Sequence, residues 1–355
     1  MGLGTRIFAY AMVLITFAFL VNSYLVFWMG WPGVRGLFAH EQWLGFRPPH
    51  RPLEKGAVTL GWVQWLSYFL MVILAWVYVM RDKTRCLRVD GERLSSLAAY
   101  MVRSCFWAVL LVGLVDAVIS FMRVEEVLSS IVGEALATAL GRPSYRGEYV
   151  HVPLILLSFV IAAIVRRIDF IWLAVLVVFV EFLIVISRFV FSYEQAFMAD
   201  LVRFWYAALF LFASAFTLIH EGHVRVDVLY ARFGRRGRAW ADTMGSLLLG
   251  LPLCWVILIE GTAGKGASII SPLLSYEISQ SGFGMYVKYL MAAFLLVFAV
   301  SMIVQFSAYV LRAVADLRDE PGEHPEYDAP RMADGGIDQA LEKAQARIRQ
   351  DGPSG

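Results

Sequence analysis

The sequence predicts an all-α integral membrane protein of about eight transmembrane helices. Three observations carry this. The 355-residue chain is 59% hydrophobic, above the roughly 45–50% usual in soluble domains. Its apolar residues cluster into runs long enough to cross a bilayer, about 17–25 residues each. Its basic residues gather in alternate connections between those runs. The net charge of +2 points to no nucleic-acid partner, so the lipid bilayer is the first partner implied.

The runs are Ile7–Met29, Ala57–Met80, Leu97–Phe121, Val150–Val165, Phe170–Phe191, Leu201–Ile219, Thr243–Thr262 and Gly284–Leu311. The first is longer than the core of a cleaved signal peptide and has no small-x-small site after it, so it reads as a retained span. The fourth is short and ends at Arg166-Arg167-Ile168-Asp169. The fifth starts at once, which predicts an antiparallel helix hairpin. With the N-terminus inside, the cytoplasmic connections hold roughly twice the Lys and Arg of the opposite ones, mostly in Arg81–Arg93 and Arg225–Arg238. The expected orientation is N-in and C-in.

Between the runs the chain is modest. Trp31–Gly56 is an outside loop rich in Pro, Gly, Trp and His. It is too long for a simple hairpin connection of about 2–8 residues. Its Trp31, Phe38, Trp43 and Phe46 fit either an interfacial aromatic belt or a protein-docking platform. Val124–Leu140 shows helical spacing of Val127, Ile131, Leu136 and Leu140. The tail after Arg318 has few apolar residues and several turn formers and is expected to be disordered, with a short exposed helix over "IDQALEKAQARIRQ". Cys86, Cys105 and Cys254 show neither a disulfide framework nor metal spacing and read as packing residues.

The densest polar stretch is "HEGHVRVDVLYARFGRRGRAWAD", His220–Asp242. A zinc protease needs His-Glu-x-x-His on one helical face, whereas here the order is His-Glu-Gly-His. A haem protein needs histidines facing each other within its spans, and His40, His50, His151 and His324 fall in loops, tails or span ends. No Gly-x-x-x-x-Gly-Lys-Ser/Thr loop is present. No catalytic, cofactor or metal residue is therefore assigned. Instead, Val226, Leu229, Tyr230 and Phe233 fall at i, i+3, i+4, i+7, with Arg225, Arg232 and Arg235 off the stripe. This predicts a short cytoplasmic interfacial helix, with Asp227 capping its start and Gly234 ending it in a left-handed conformation. The "RRGR" after it would sit among anionic headgroups.

These residues resemble the cytoplasmic loop of the small, DctQ-like membrane subunit of tripartite ATP-independent periplasmic (TRAP) transporters. In that family the loop reads His-(Val/Ile)-Arg-Val-Asp before a basic turn, matched by His223, Val224, Arg225, Val226 and Asp227. "SRFVF" (Ser187–Phe191), with Arg188, resembles the end of the family's first span, Phe189 standing for Tyr. "FMADLVRF" (Phe197–Phe204) resembles the start of the second, through Asp200 and Arg203. Phe197 stands there for Trp, and Ala199 and Asp200 for two Glu. "YEISQSGFGMYVKYL" (Tyr276–Leu290) resembles the passage before the fourth, through Glu277, Ser279, Gly282 and Lys288. The resemblance spans Asp169–Arg318. It divides the chain into an additional four-helix region at 1–165, a DctQ-like domain at 166–318 and a tail at 319–355.

The resemblance implies a non-catalytic scaffold without cofactors. Its expected partners are a large multi-span permease, which carries the substrate and sodium sites, and a periplasmic binding protein that delivers an organic acid. Two intramembrane carboxylates stand beside this reading. Glu181 sits mid-span, where a charge costs about 2.5–3.5 kcal/mol, with Arg188 two turns along the same face. It either pairs across helices or with the large subunit, or is protonated. For Asp116, in the third run, the reading preferred is a protonated carboxyl with a local hydrogen bond. A self-sufficient secondary transporter would show matching broken spans in inverted repeats. A membrane redox subunit would need histidines in its spans.

Overall fold

The computed structural model describes residues 2–48, 52–166, 171–219, 233–279 and 284–320. Among them every regular element is helical. The main helices are α1 (Gly2–Phe27), α2 (Gly33–His40), α3 (Lys55–Arg81) and α4 (Leu87–Val124). After α5 (Leu128–Val132) and α6 (Glu134–Leu140) come α7 (Pro143–Ile164), α8 (Ile171–Phe191), α9 (Ala196–Ile219), α10 (Arg235–Gly261), α11 (Ile270–Ser275) and α12 (Lys288–Leu317). Seven of these, α1, α3, α4, α7, α8, α10 and α12, are long and apolar enough to cross a membrane. The remaining expected span falls on α9, whose first turns carry Asp200 and Arg203.

The helices outrun the apolar runs because tertiary partners satisfy their polar ends. At about 1.5 Å per residue, the 38 residues of α4 reach about 57 Å, well beyond a hydrocarbon core of about 30 Å. Its first turns were expected as loop. They are helix because Arg88 and Asp90, both buried, find ionic partners on other helices. α7 and α10 likewise begin earlier than the runs suggest, and each passes through a π turn, Gly147–His151 and Ser246–Gly250. Both turns lead into a proline, Pro153 and Pro252. A proline lacks the amide donor and its ring crowds the carbonyl four residues back. The wider π turn lets the helix run through it.

α4 and α12 form the central pair. α1 packs on α3 and α12, α7 on α4, α9 on both α4 and α12, and α10 on α12. The main core joins Phe106 and Val109 of α4 with Phe204, Trp205 and Phe212 of α9, Leu258 of α10 and Ile303 of α12. Residues on both sides of position 165 therefore share one core, and Met1–Glu320 is a single compact unit. α7 lies on α4 and α8 on α9, so the helices on either side of the short connection pack mainly on different neighbours among the described residues, while residues 167–170 of the connection lie outside them. α4 offers α7 the better seat, with Tyr100 donating to the Phe159 carbonyl at 3.0 Å.

Two other expectations change. The single amphipathic helix over 124–140 is broken into α5 and α6 at Gly133, whose φ of 83° takes it out of the helical region. Val127, Ile131 and Leu136 are exposed, and Leu128 and Leu140 turn inward. The loop at 31–56 is not featureless. It contains α2, whose Leu37 is buried, and the Gly33 amide donates to buried Gln64 of α3 at 2.9 Å. Phe38, Trp43 and Phe46 form an aromatic cluster with Trp62 and Trp65 of α3.

Candidate functional site

Two motifs far apart in the sequence converge at one end of the molecule. Asp200, near the start of α9, accepts hydrogen bonds on Oδ2 from Ser279 Oγ at 2.8 Å and from the Met285 amide at 3.1 Å. Its Oδ1 lies 3.6 Å from Arg203, one turn along. Lys288, the first residue of α12, pairs with Glu277 at 2.6 Å. Asp200, Arg203, Ser279, Lys288 and Met291 line a cleft of about 490 Å³. Every carboxylate here already holds a donor, so the cleft is self-neutralised. The chemistry is that of a latch: it holds the connection before α12 against the start of α9.

Beside it lies a fully buried ionic cluster. Asp116 of α4, Arg146 and His151 of α7 all have zero exposure. Arg146 Nη1 donates to Asp116 Oδ1 at 2.9 Å and to Ser120 Oγ at 3.1 Å, and its Nε donates to the Leu140 carbonyl at 3.0 Å. His151 Nε2 is 3.1 Å from the same carboxylate oxygen, and Nδ1 is 2.8 Å from Tyr289 Oη of α12. The Tyr286 amide donates to Asp116 Oδ2 at 2.8 Å, and the Arg146 guanidinium sits 4.1 Å above the Tyr286 ring, a favourable cation–π placement. Asp116 is thus charge-paired across helices, which overturns the local-hydrogen-bond reading. In the sequence, Arg146 lies before the fourth apolar run, in a connection, and His151 at one end of that run. Their five-residue spacing is about one turn of a π-helix, which brings both to Asp116. The signal was legible only with that turn known.

At the opposite end, several basic residues pair with carboxylates, Arg6 and Arg88 buried and Arg235 and Arg236 exposed. Arg6 of α1 donates to Asp90 at 2.6 Å and Tyr10 Oη to the same carboxylate at 3.0 Å. Asp316, buried at the end of α12, holds Arg88 at 2.5 Å and Arg235 at 3.3 Å. Arg236 pairs with Asp319 at 2.9 Å, and its hydrogen bond and charge hold the Asp319 carboxyl below its ordinary pKa. Arg235, Arg236 and Arg238 lie in the first turns of α10. Gly234 has φ −67° and ψ 169°, so it precedes a helix in extended conformation. It does not end one in the left-handed region, because the chain needs an extended residue to lead into α10. His223, Arg225 and Asp227, the interfacial helix they belong to, and the tail beyond 320 lie outside the described residues.

The intramembrane charges divide differently from expectation. Arg188 pairs with Glu194, just beyond the end of α8, at 3.4 Å, both well exposed. It therefore does not serve Glu181. Glu181 is exposed halfway along α8 and has no hydrogen-bond or ionic partner among the described residues. Sequence reasoning passed over Arg103, inside the apolar run of α4. Its Nε is buried without a hydrogen-bond partner among the described residues, as is Nε1 of Trp107 one turn on. An arginine inside an apolar run was the available signal. Among the described residues, no group of His, Cys, Asp and Glu is placed to hold a metal ion.

Residues 174–316 match the family model of the DctQ component of tripartite ATP-independent periplasmic transporters. The matched segment begins within α8 and ends within α12, leaving α1 to α7 outside it. No curated protein and no solved structure matches the chain.

Proposed function

We propose that this chain, which carries a DctQ domain over residues 174–316, is the small scaffold subunit of a TRAP transporter in a bacterial inner membrane, with both termini inside. It supports a large permease subunit in sodium-coupled uptake of an organic acid that a periplasmic protein delivers. One observation carries the reading beyond the family match. The polar groups gathered at Asp200 and at Asp116 are consumed in holding helices to one another, as a scaffold requires and as a transport path does not. The added helices α1 to α7 enlarge that scaffold. In particular, α4 supplies the wall against which α9 and α12 of the DctQ domain pack, and α2 with its aromatic cluster broadens the platform on the delivery side.

The test is reconstitution. Vesicles containing this chain alone are expected to take up no substrate. Uptake is expected once the large permease and the binding protein are both supplied, driven by a sodium gradient. Uptake by the purified chain alone would refute the scaffold reading in favour of a self-sufficient transporter.

A further inference from the structure

α8 is the least enclosed of the candidate spans. It uses one face for its own chain: Leu173, Leu176, Val177, Val180 and Ile184 pack toward the main core. The opposite face carries Val178 at 68% exposure, Phe182 at 59%, Val185 at 49% and Phe189 at 79%. Their spacing of four, three and four residues is that of a seam that packs against another helix. Glu181 borders this seam, exposed at mid-helix.

We propose that this face of α8 is where a transmembrane helix of the large permease docks, and that the docking helix presents a lysine, an arginine or a pair of neutral donors to Glu181. The inference rests on the scaffold reading and adds the surface and the chemistry of contact. Three arguments select the occupant. Hydrocarbon offers a carboxyl no donor, so lipid alone leaves Glu181 unsatisfied at a depth where that is costly. The chain's own nearest basic group on the same helix, Arg188, is held by Glu194. A second copy meeting this face through two-fold symmetry would place Glu181 against Glu181, since a two-fold contact uses the same patch on both partners. A different chain with complementary charge has none of these faults.

The experiment co-expresses this chain with the large permease subunit of the same transporter and purifies through a tag on this chain. A photo-crosslinking residue at Val178 or Phe182 is expected to join the large subunit. Glu181→Leu, which strands the partner's donor, is expected to lower the co-purified large subunit by about tenfold or more, and Glu181→Gln, which keeps an acceptor, by less. The Glu181→Leu chain alone is expected to be as heat-stable and monodisperse as the wild type, because the carboxyl has no partner among the described residues. Three results would each overturn the inference: crosslinks absent or joining a second copy, retention unchanged in Glu181→Leu, or a Glu181→Leu chain that is itself unstable. Failure of the wild-type chain to retain any large subunit would instead remove the scaffold reading, and the docking face with it. Co-purification without α8 crosslinks removes only the docking face.

Discussion

The decisive residues of this molecule are polar groups within apolar helices, and each is governed by whether it has a partner. Asp116 and Arg146 are both fully buried and 2.9 Å apart. Removing one partner of such a pair leaves the other charge stranded, which costs about 3–5 kcal/mol, whereas replacing both can be close to neutral. Asp116→Asn is therefore expected to lower the thermal stability of the detergent-purified chain sharply. The double change Asp116→Asn with Arg146→Met should recover part of the loss. Equal losses for the single and double variants would show that the pair is not the unit that matters. Gln305 of α12 is the reverse case. It is fully buried, and neither its amide nitrogen nor its amide oxygen has a hydrogen-bond partner among the described residues. An unsatisfied buried polar group costs about 1–3 kcal/mol. Gln305→Met, close in volume and free of that cost, is expected to raise the melting temperature. A lower one would mean that the amide has an undetected role in the bundle.

At the scale of elements, the seam between α4 and α9 depends on close approach. Gly113 has no side chain where Trp205 crosses: a Cβ there would fall 2.3 Å from Trp205 Nε1, which donates to the Val109 carbonyl at 3.2 Å. Both the ring position and the hydrogen bond require the glycine. Overpacking a filled core of this kind costs about 1–3 kcal/mol. Gly113→Ala is expected to destabilise the chain by that amount, read as a lower melting temperature. It should also shift the fluorescence of Trp205, measured with the other tryptophans replaced. An unchanged melting temperature and spectrum would show that α9 does not lie against α4 here. Gly250, whose Cβ would meet the Phe306 ring at 2.7 Å, plays the same part where the π turn of α10 crosses α12.

For the whole molecule, the segment that matches the DctQ family model, residues 174–316, is not spatially separate from the helices before it. Phe204, Trp205 and Phe212 of α9 share a core with Val102, Phe106 and Val109 of α4. The Asp116 carboxylate receives the Tyr286 amide, and Arg88 of α4 reaches Asp316 at the other end. Residues 166–355 expressed alone would bare this apolar wall and leave Asp316 without Arg88. They are expected to aggregate or be degraded, and to be rescued by co-expressing residues 1–165 as a separate chain. A stable, monodisperse 166–355 fragment would show that the family domain folds without its extension.

By itself, the sequence determined the class of the protein. Apolar runs of membrane-crossing length require helices, because hydrocarbon leaves a backbone no other way to satisfy its amides and carbonyls. The HVRVD, FMADLVRF and YEISQSGFG stretches carried the resemblance to the DctQ family. Tertiary structure alone decided the partners. That Ser279 closes on Asp200 and Arg146 on Asp116 depends on contacts between elements distant in the chain, and periodicity reports only on neighbours within one helix. The same holds for where helices begin. Leu87 starts α4 because Glu320, 233 residues further along the chain, accepts its amide at 2.9 Å. Glu181 was conspicuous in the sequence as a charge in an apolar run, but only the packing of α8 on α9 leaves it exposed and without a partner among the described residues.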